Sequence, residues 1–326
     1  MRAFAERVLF GVTLADKLGP PDAIDDGADG PGSDRGSDAP GPAIAVPDAP
    51  GRPDGLALRS AARGGGRSVP GPGALADDAA RGRVLHAFVN HELLALELFA
   101  LAVLRFPDAD PRLRRAWVAT AADEQRHLRL YLERMDQCGV ALGTERVSAL
   151  FWDALAPIDD PVTFTVGIGL VLEQANLDFS RQWQAAFAAA GDPATAAVLA
   201  VVYEDEIRHV RVAARALQRD LRPGESLWDG FRRRLVFPLS PVRAKGPVVD
   251  RAGRLRAGLD DAFVDALIVT GGPKDRDPRV FVLDPHAEDD LGGWESPTSP
   301  VSDDLAALPV VLAHAGDVVV APRPSI

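Results

Sequence analysis

The stretch Glu124-Gln125-Arg126-His127 recurs later in the chain as Glu206-Ile207-Arg208-His209, so the pattern Glu-x-x-His occurs twice. Another glutamate precedes each copy, Glu92 before the first and Glu173 before the second, at spacings that differ by one residue. A glutamate and a histidine three residues apart share one face of a helix. In antiparallel helices joined by short turns, such pairs reach the same depth. The sequence therefore predicts that these side chains converge on one layer of a helical bundle.

Four segments of helical length carry these residues. The connection at 139–160 is longer than the other two, so the pattern describes two hairpins joined by a crossover. Pro111 and Pro193 stand where a helix tolerates proline, in the first turn, and Asp192 is a suitable N-cap. We predict an all-α, ferritin-like four-helix bundle. Its helices are expected, from apolar periodicity, at roughly 81–106, 111–138, 161–190 and 193–220.

All four glutamates lie among apolar residues at helical spacing, as Glu92 does between Phe88 and Leu96. Buried carboxylates without partners each cost several kcal/mol. Two divalent cations would neutralise four carboxylates, and two imidazoles would complete the coordination. We therefore predict two metal ions, iron with manganese as the alternative. The predicted ligands are Glu92, Glu124, His127, Glu173, Glu206 and His209.

Two further side chains are candidate catalytic residues beside these ligands. Tyr203 lies about one helical turn before Glu206, and Thr120 about one turn before Glu124. Packing in the core is the alternative role for both, and the sequence leaves that choice open. His86 is a third residue that could contact a ligand.

Other acidic residues of these segments lie off the predicted ligand face, because each residue turns an α-helix by about 100°. Asp123, Glu204 and Asp205 are predicted to be surface charges. Glu97 is predicted to be solvated or in a local ion pair.

The regions outside the bundle differ from it in composition. Residues 1–18 predict a short amphipathic helix, after which Gly, Pro, Asp and Ser dominate and indicate a largely disordered arm. Valine-rich stretches at 280–283 and 318–320 predict short strands. We therefore divide the chain into the helix and arm of 1–80, the bundle of 81–221, the helical extension and linker of 222–270 and a small mixed α/β extension at 271–326.

The composition limits the classes of function. The chain has 326 residues and a net charge of −11, which disfavours nucleic acid as a partner. Basic residues cluster between Arg232 and Arg256, and we interpret this cluster as a solvated or interdomain patch. The single cysteine, Cys138, excludes an internal disulfide, a Cys-type zinc site and a protein-bound iron–sulfur cluster. We expect no membrane span and a cytoplasmic location.

The motif-bearing segments also resemble a known family. They are Leu85-His86-Ala87 with His91-Glu92-Leu93, Asp123-Glu124 with His127, Val171-Leu172-Glu173 with Leu177-Asp178, and Glu204 to Val210. Together they resemble the ferritin-like family called domain of unknown function 455, over roughly residues 1–265. The resemblance implies the same six metal ligands. This chain has Asn90 where the family pattern usually has a histidine. The family implies no settled reaction, and a distant relation to di-iron tRNA hydroxylases is plausible.

The predicted function is that of a dinuclear non-haem metal protein, an oxidase or oxygenase that activates dioxygen. Its partners would be a small-molecule substrate and an electron donor, neither identified by the sequence. The alternative is oxidant handling, as a ferroxidase, an iron store or a manganese-catalase-like protein. A binding module stabilised by metal and a tRNA hydroxylase are weaker interpretations. A homodimer is compatible with the sequence, which leaves the assembly open.

Overall fold

The structure is a computed structural model, and it describes residues 1–21, 40–58, 69–271, 280–282 and 318–320. Their regular secondary structure is helical apart from two short strands, β1 (Val280–Val282) and β2 (Val318–Val320), which pair in parallel. Both strands fall where the valine-rich stretches predicted them. The rest of the predicted α/β extension lies outside the described residues.

The helices include two long antiparallel pairs. In the first pair α3 packs along α4, and in the second α7 packs along α8. In chain order the helices are α1 (Arg2–Phe10), α2 (Leu14–Leu18), α3 (Asp78–Arg105), α4 (Pro111–Gln137), α5 (Leu150–Leu155), α6 (Pro161–Gly167), α7 (Gln174–Ala189), α8 (Pro193–Asp220), α9 (Leu227–Arg234), α10 (Arg251–Arg256) and α11 (Asp261–Val269). A π-helical segment, Ile168–Glu173, joins α6 to α7 without a break. Short 3-10 turns occur at Asp54–Leu56, Pro72–Ala74 and Pro241–Ala244.

An aspartate caps the start of each long helical segment. The carboxylate of each one accepts a hydrogen bond from a backbone N–H in the first turn, which satisfies a donor that the helix itself leaves open. In three of the four, proline follows directly at the first helical position, where its missing N–H costs nothing. The caps are Asp77, Asp110, Asp160 and Asp192, and the prolines are Pro111, Pro161 and Pro193. Local chemistry thus fixes where all four segments begin.

Helix α3 runs through the middle of the core. It is long and apolar enough to cross a membrane by length and composition, but 83% of its apolar window is buried inside the protein. Residues from Val84 to Leu104 pack against α1, α4 and α5. A helix that is apolar on nearly every face is expected when neighbours surround it.

The N-terminal region is more ordered than the sequence predicted. Helix α1 buries Phe4 and Val8 against α3. Residues 40–58 of the predicted disordered arm also pack on the fold. The N–H of Gly51 donates to the carbonyl of Leu9 at 2.8 Å, and Nε1 of Trp152 donates to the carbonyl of Asp48 at 3.2 Å. Residues 22–39 and 59–68 of that arm lie outside the described residues.

The helical extension after α8 is tied to α7 by one buried carboxylate. Asp178 forms an ion pair with Arg254 of α10 at 2.6 Å, and neither side chain is exposed. The same carboxylate accepts hydrogen bonds from the backbone N–H groups of Gly246 at 2.8 Å and Asp250 at 2.6 Å. These contacts make residues 241–256 a wall of the bundle.

The π-helical segment approaches α8 unusually closely. A Cβ atom added at Gly169 would overlap the Cβ atom of Ala213. Segments of this kind often occur at functional sites. This one ends at Glu173, so the close contact fixes the position of a predicted ligand.

Candidate metal centre

The six predicted ligands come from four helical segments and meet in the core. Four are fully or almost fully enclosed, with at most 4% of the residue exposed, while Glu92 and Glu173 keep 5% and 6%. The contributing segments are α3 with Glu92, α4 with Glu124 and His127, the π-helical segment with Glu173, and α8 with Glu206 and His209.

The first cluster consists of Glu92, Glu124 and His127. Each residue offers one ligand atom, and these atoms all lie within 4.8 Å of one another. Nδ1 of His127 lies 3.4 Å from Oε2 of Glu92 and 3.5 Å from Oε2 of Glu124. The three donors thus surround a space that could hold a metal ion.

The second cluster consists of Glu124, Glu173 and His209, whose ligand atoms also lie within 4.8 Å of one another. Nδ1 of His209 lies 3.2 Å from Oε1 of Glu124 and 3.3 Å from Oε2 of Glu206. Glu124 is common to both clusters, so the two positions are adjacent. One carboxylate can therefore serve two ions.

A second layer of carboxylates stands behind the histidines. Nε2 of His127 donates to Oδ2 of Asp205 at 2.9 Å. Nε2 of His209 donates to Oδ2 of Asp123 at 3.2 Å. Each histidine is thus held by an aspartate from the other long helix, α8 for His127 and α4 for His209. This contact leaves Nδ1 of both rings as the atom that faces the clusters.

The prediction that Asp123 and Asp205 are surface charges is therefore wrong. Asp205 is 3% exposed, and Asp123 is half-buried beside His209. The signal was present, since each aspartate directly precedes the glutamate of a Glu-x-x-His motif. Considered on one helix alone, that position turns away from the ligands. Glu204 does behave as predicted, because its side chain is 51% exposed and pairs with Arg256.

Two arginines hold the second-layer aspartates in place. Arg126 forms ion pairs with Asp123, at 3.0 Å, and with Asp205. Arg208 does the same, at 3.1 Å to Asp123 and by a shorter contact to Asp205. These arginines belong to the same two motifs and lie nearly half-exposed at the bundle surface. They compensate the charge of carboxylates that sit beside a buried acidic centre.

Burial and mutual repulsion dominate the ionisation of the clusters. Burial, reinforced by the charge of Glu92, raises the pKa of Glu124 well above its ordinary value. Burial and the neighbouring Glu206 raise the pKa of Glu173 in the same way. Burial also raises the pKa of Glu206 to about 7. Three carboxylates thus resist ionisation in the metal-free chain.

The pKa values of His127 and Glu92 shift in the direction that their polar contacts favour. Burial opposes the charged form of His127, but hydrogen bonds led by that to Asp205 raise its pKa well above the ordinary value. Burial likewise opposes ionisation of Glu92, but its contacts with Glu124 and His127 lower its pKa. A protonated imidazole therefore partly neutralises the acidic cluster when no metal is bound.

The donor set fits divalent cations. Among the described residues, several buried atoms of the centre lack any hydrogen-bond partner, and they are Oε1 and Oε2 of Glu124, Oε2 of Glu206 and Nδ1 of His209. Such atoms are rare in folded proteins because leaving them unsatisfied is costly. Carboxylate oxygens and imidazole nitrogens suit iron, manganese and zinc. Coordination of two ions would satisfy these atoms and balance the four carboxylates.

Two of the remaining predicted residues, Tyr203 and His86, have partners outside the clusters. The hydroxyl of Tyr203 donates to Asp250 at 2.5 Å, a residue of the helical extension. Thr120 is buried one turn before Glu124 and stays a prediction. Nε2 of His86 accepts a hydrogen bond from the N–H of Gly143 at 3.0 Å, which occupies it outside the clusters.

Glu97 is neither solvated nor in a local pair, contrary to prediction. Its carboxylate is fully buried between Lys17 of α2, at 3.0 Å, and Arg52 of the arm, at 2.6 Å. Arg52 also donates to Oδ1 of Asn90 at 3.1 Å. Glu97 thus anchors the N-terminal region to α3, and periodicity within α3 could not reveal partners so distant in sequence.

Comparison with known proteins places the chain in a family. The family described as Protein of unknown function (DUF455) matches residues 31–265, which is more than half of the chain. The chain therefore belongs to that family, as the motif-bearing segments predicted. No curated protein and no solved structure matches it. The matched region contains all six candidate ligands and both second-layer aspartates.

Proposed function

We propose that the protein is a ferritin-like dinuclear metal protein, a di-iron oxidase or oxygenase that acts on a small organic substrate. The observation that carries the proposal is the pair of buried Glu/His clusters that share Glu124. The two long helix pairs, each supplying Glu and Glu-x-x-His, correspond to the di-metal arrangement of ferritin-like bundles.

The glutamates and histidines would bind the ions, and two aspartates would orient the histidines. Glu92, Glu124, Glu173 and Glu206 would hold two ions, with Nδ1 of each histidine completing the set. Asp205 would keep His127 in the tautomer whose Nδ1 is free to bind metal. Asp123 would do the same for His209. The apolar neighbours of the clusters would exclude bulk water from the reacting atoms.

Two ferrous ions bound here would supply dioxygen binding and two electrons. Hydroxylation of a substrate R–H then balances as R–H + O₂ + two electrons + two protons giving R–OH + H₂O. An external electron donor must return the two electrons after each turnover.

The test is reconstitution of the metal-free full chain with ferrous iron without oxygen, followed by elemental analysis and dioxygen uptake. We expect a stoichiometry near two ions per chain, and oxygen consumption that Glu173→Gln abolishes. Glu204→Gln, which changes an exposed glutamate two residues before Glu206, is the matched control and should behave like the parent chain. A saturating stoichiometry near zero would refute the proposal.

Iron storage and manganese-catalase-like activity are the alternatives that share this site. Storage predicts that many more than two ions accumulate per chain and that the chain forms a large cage. A manganese catalase predicts oxygen release from hydrogen peroxide by the manganese-loaded chain, with no uptake by the ferrous form. Either result would replace the oxygenase proposal while leaving the metal centre in place.

We propose a small-molecule substrate and a separate electron donor as partners, in a cytoplasmic protein that acts as a monomer or a homodimer. Nucleic acid does not suit the surface. The basic residues that the sequence grouped are largely engaged within the fold, since Arg233 and Arg234 pair with Asp220, and Arg254 pairs with Asp178. A tRNA substrate would need such residues to face solvent.

A further inference from the structure

A cavity of about 400 Å³ lies against the clusters. This volume is in the range of pockets that bind small molecules. Its walls come mainly from α3, α4, α5, the π-helical segment, α7 and α8, and most of the lining residues are apolar. Five of the lining residues are aromatic: Phe88, Tyr131, Phe151, Phe179 and Trp183.

The cavity reaches the clusters from one side. Glu92 and Glu173 line it, and they are the two of the four carboxylates that keep some exposure, at 5% and 6%. Glu124 and Glu206 are fully buried behind them. Val69, which is 51% exposed, also lines the cavity. The cavity therefore lies beside the two carboxylates of the centre that keep some exposure.

Three polar side chains of the cavity wall, Asn176, Ser180 and Arg243, already have hydrogen-bond partners. Ser180 donates to Asn176 at 3.3 Å, and Asn176 donates to Oε1 of Glu206 at 2.7 Å. The ring of His91 stacks on Phe151 with centroids 5.0 Å apart. Nε of Arg243 donates to the carbonyl of Pro238 at 3.1 Å. A ligand of this cavity would be held by apolar contact far more than by hydrogen bonds.

We infer that this cavity is the substrate pocket of the proposed centre, and that it takes a neutral apolar molecule, aromatic or alkyl, with its reacting carbon against Glu92 and Glu173. The inference rests on the proposed function for the identity of the ligand as a substrate. Aromatic walls favour planar apolar groups through stacking and edge contacts. An anionic group would lose its hydration against these apolar walls, which costs free energy.

The experiment measures ligand binding separately from metal binding. The probe is N-phenylnaphthylamine, a neutral apolar fluorophore whose emission rises when it leaves water, titrated into the metal-free and the manganese-loaded full chain. Ala87→Phe places a ring in the cavity, and Ala79→Phe places the same ring at an exposed position of the same helix. We expect Ala87→Phe to weaken probe binding about tenfold or more, and Ala79→Phe to change it less than about twofold.

Each outcome decides one of the two proposals. Two metal ions per chain without probe binding, or with equal binding in both variants, would overturn the pocket and leave the centre intact. Probe binding that Ala87→Phe abolishes, in a chain that takes up no metal, would support the pocket and refute the proposed function. If naphthoate, which carries a carboxylate, binds more tightly than the neutral probe, the neutral substrate class is wrong. Ser180→Leu is the second variant should Ala87→Phe fail to fold.

Discussion

The carboxylate of Asp205 on α8 accepts a hydrogen bond from Nε2 of His127 on α4, 2.9 Å away, across the boundary between the two long helix pairs. Asp123 on α4 returns the same contact to His209 on α8. Each Glu-x-x-His motif therefore supplies the histidine of one cluster and adjoins the aspartate that supports the histidine of the other. This crossed arrangement makes the orientation of both histidines depend on the packing of α4 against α8.

Asp205→Asn should weaken metal binding without unfolding the chain. The amide cannot hold the imidazole as the carboxylate does, and losing such a partner typically reduces metal affinity by about 10- to 100-fold. Affinity is measured by competition with a chromophoric chelator. Glu204→Gln, at the adjacent exposed position, is the control and should match the parent chain. Equal losses in both variants would show a general effect of charge.

Glu97→Gln should destabilise the protein while the metal stoichiometry stays near two. The change leaves Lys17 and Arg52 buried beside a neutral amide, and breaking a buried pair on one side costs about 3–5 kcal/mol. The free energy of unfolding comes from urea denaturation of the metal-free chain. Glu92→Gln should have the opposite effect and lose metal. Its metal-free form should be as stable as the metal-free parent chain or more stable, because the change removes one of several crowded carboxylates. Loss of metal in Glu97→Gln at unchanged stability would place Glu97 in the centre.

The metal-free protein should lose stability as the pH rises. The folded chain holds Glu206 with a pKa of about 7 against an ordinary value of 4.5, so the native state binds more protons than the unfolded state in that window. The raised pKa values of Glu124, Glu173 and His127 act in the same direction. Asp123, with a pKa of about 2, contributes stability that is lost only at lower pH, below its ordinary value of 3.8.

Urea denaturation between about pH 4.5 and pH 8 tests this dependence. Metal should reverse it, because ions displace these protons and therefore bind more tightly at higher pH. Glu206→Gln should flatten the metal-free profile, since it removes one of the titrating groups. A metal-free stability that rises across this window would contradict the electrostatics described for the clusters.

Gly169→Ala should disturb the centre through the backbone. Its methyl group would overlap the side chain of Ala213, and overpacking of this kind costs about 1–3 kcal/mol. Because Glu173 follows in the same π-helical segment, metal affinity should fall along with thermal stability. The double variant Gly169→Ala with Ala213→Gly restores the space and should recover affinity. If the double variant does not recover metal affinity, the contact of Gly169 with Ala213 does not set the position of Glu173.

The sequence predicted the helices and the six candidate ligands because both follow from local regularities. Asp192 and Pro193 mark a helix start by their own chemistry, and a three-residue spacing fixes which side chains share a face. The roles of Asp205 and Glu97 could not be found in this way. Their partners, His127 and Lys17, lie on elements distant in sequence, so single-helix periodicity placed both acids on the outside. The cavity depends likewise on how six helical segments pack.

The sharing of Glu124 and the crossed Asp–His contacts have a consequence for how the molecule is assembled. A fragment that contained α3 and α4 alone would have His127 without Asp205, and a fragment with α7 and α8 would lack the carboxylate that both clusters require. The internal repeat in the sequence is therefore not a tandem of two self-sufficient modules. Metal binding at both positions would therefore require the two halves of the chain to pack together.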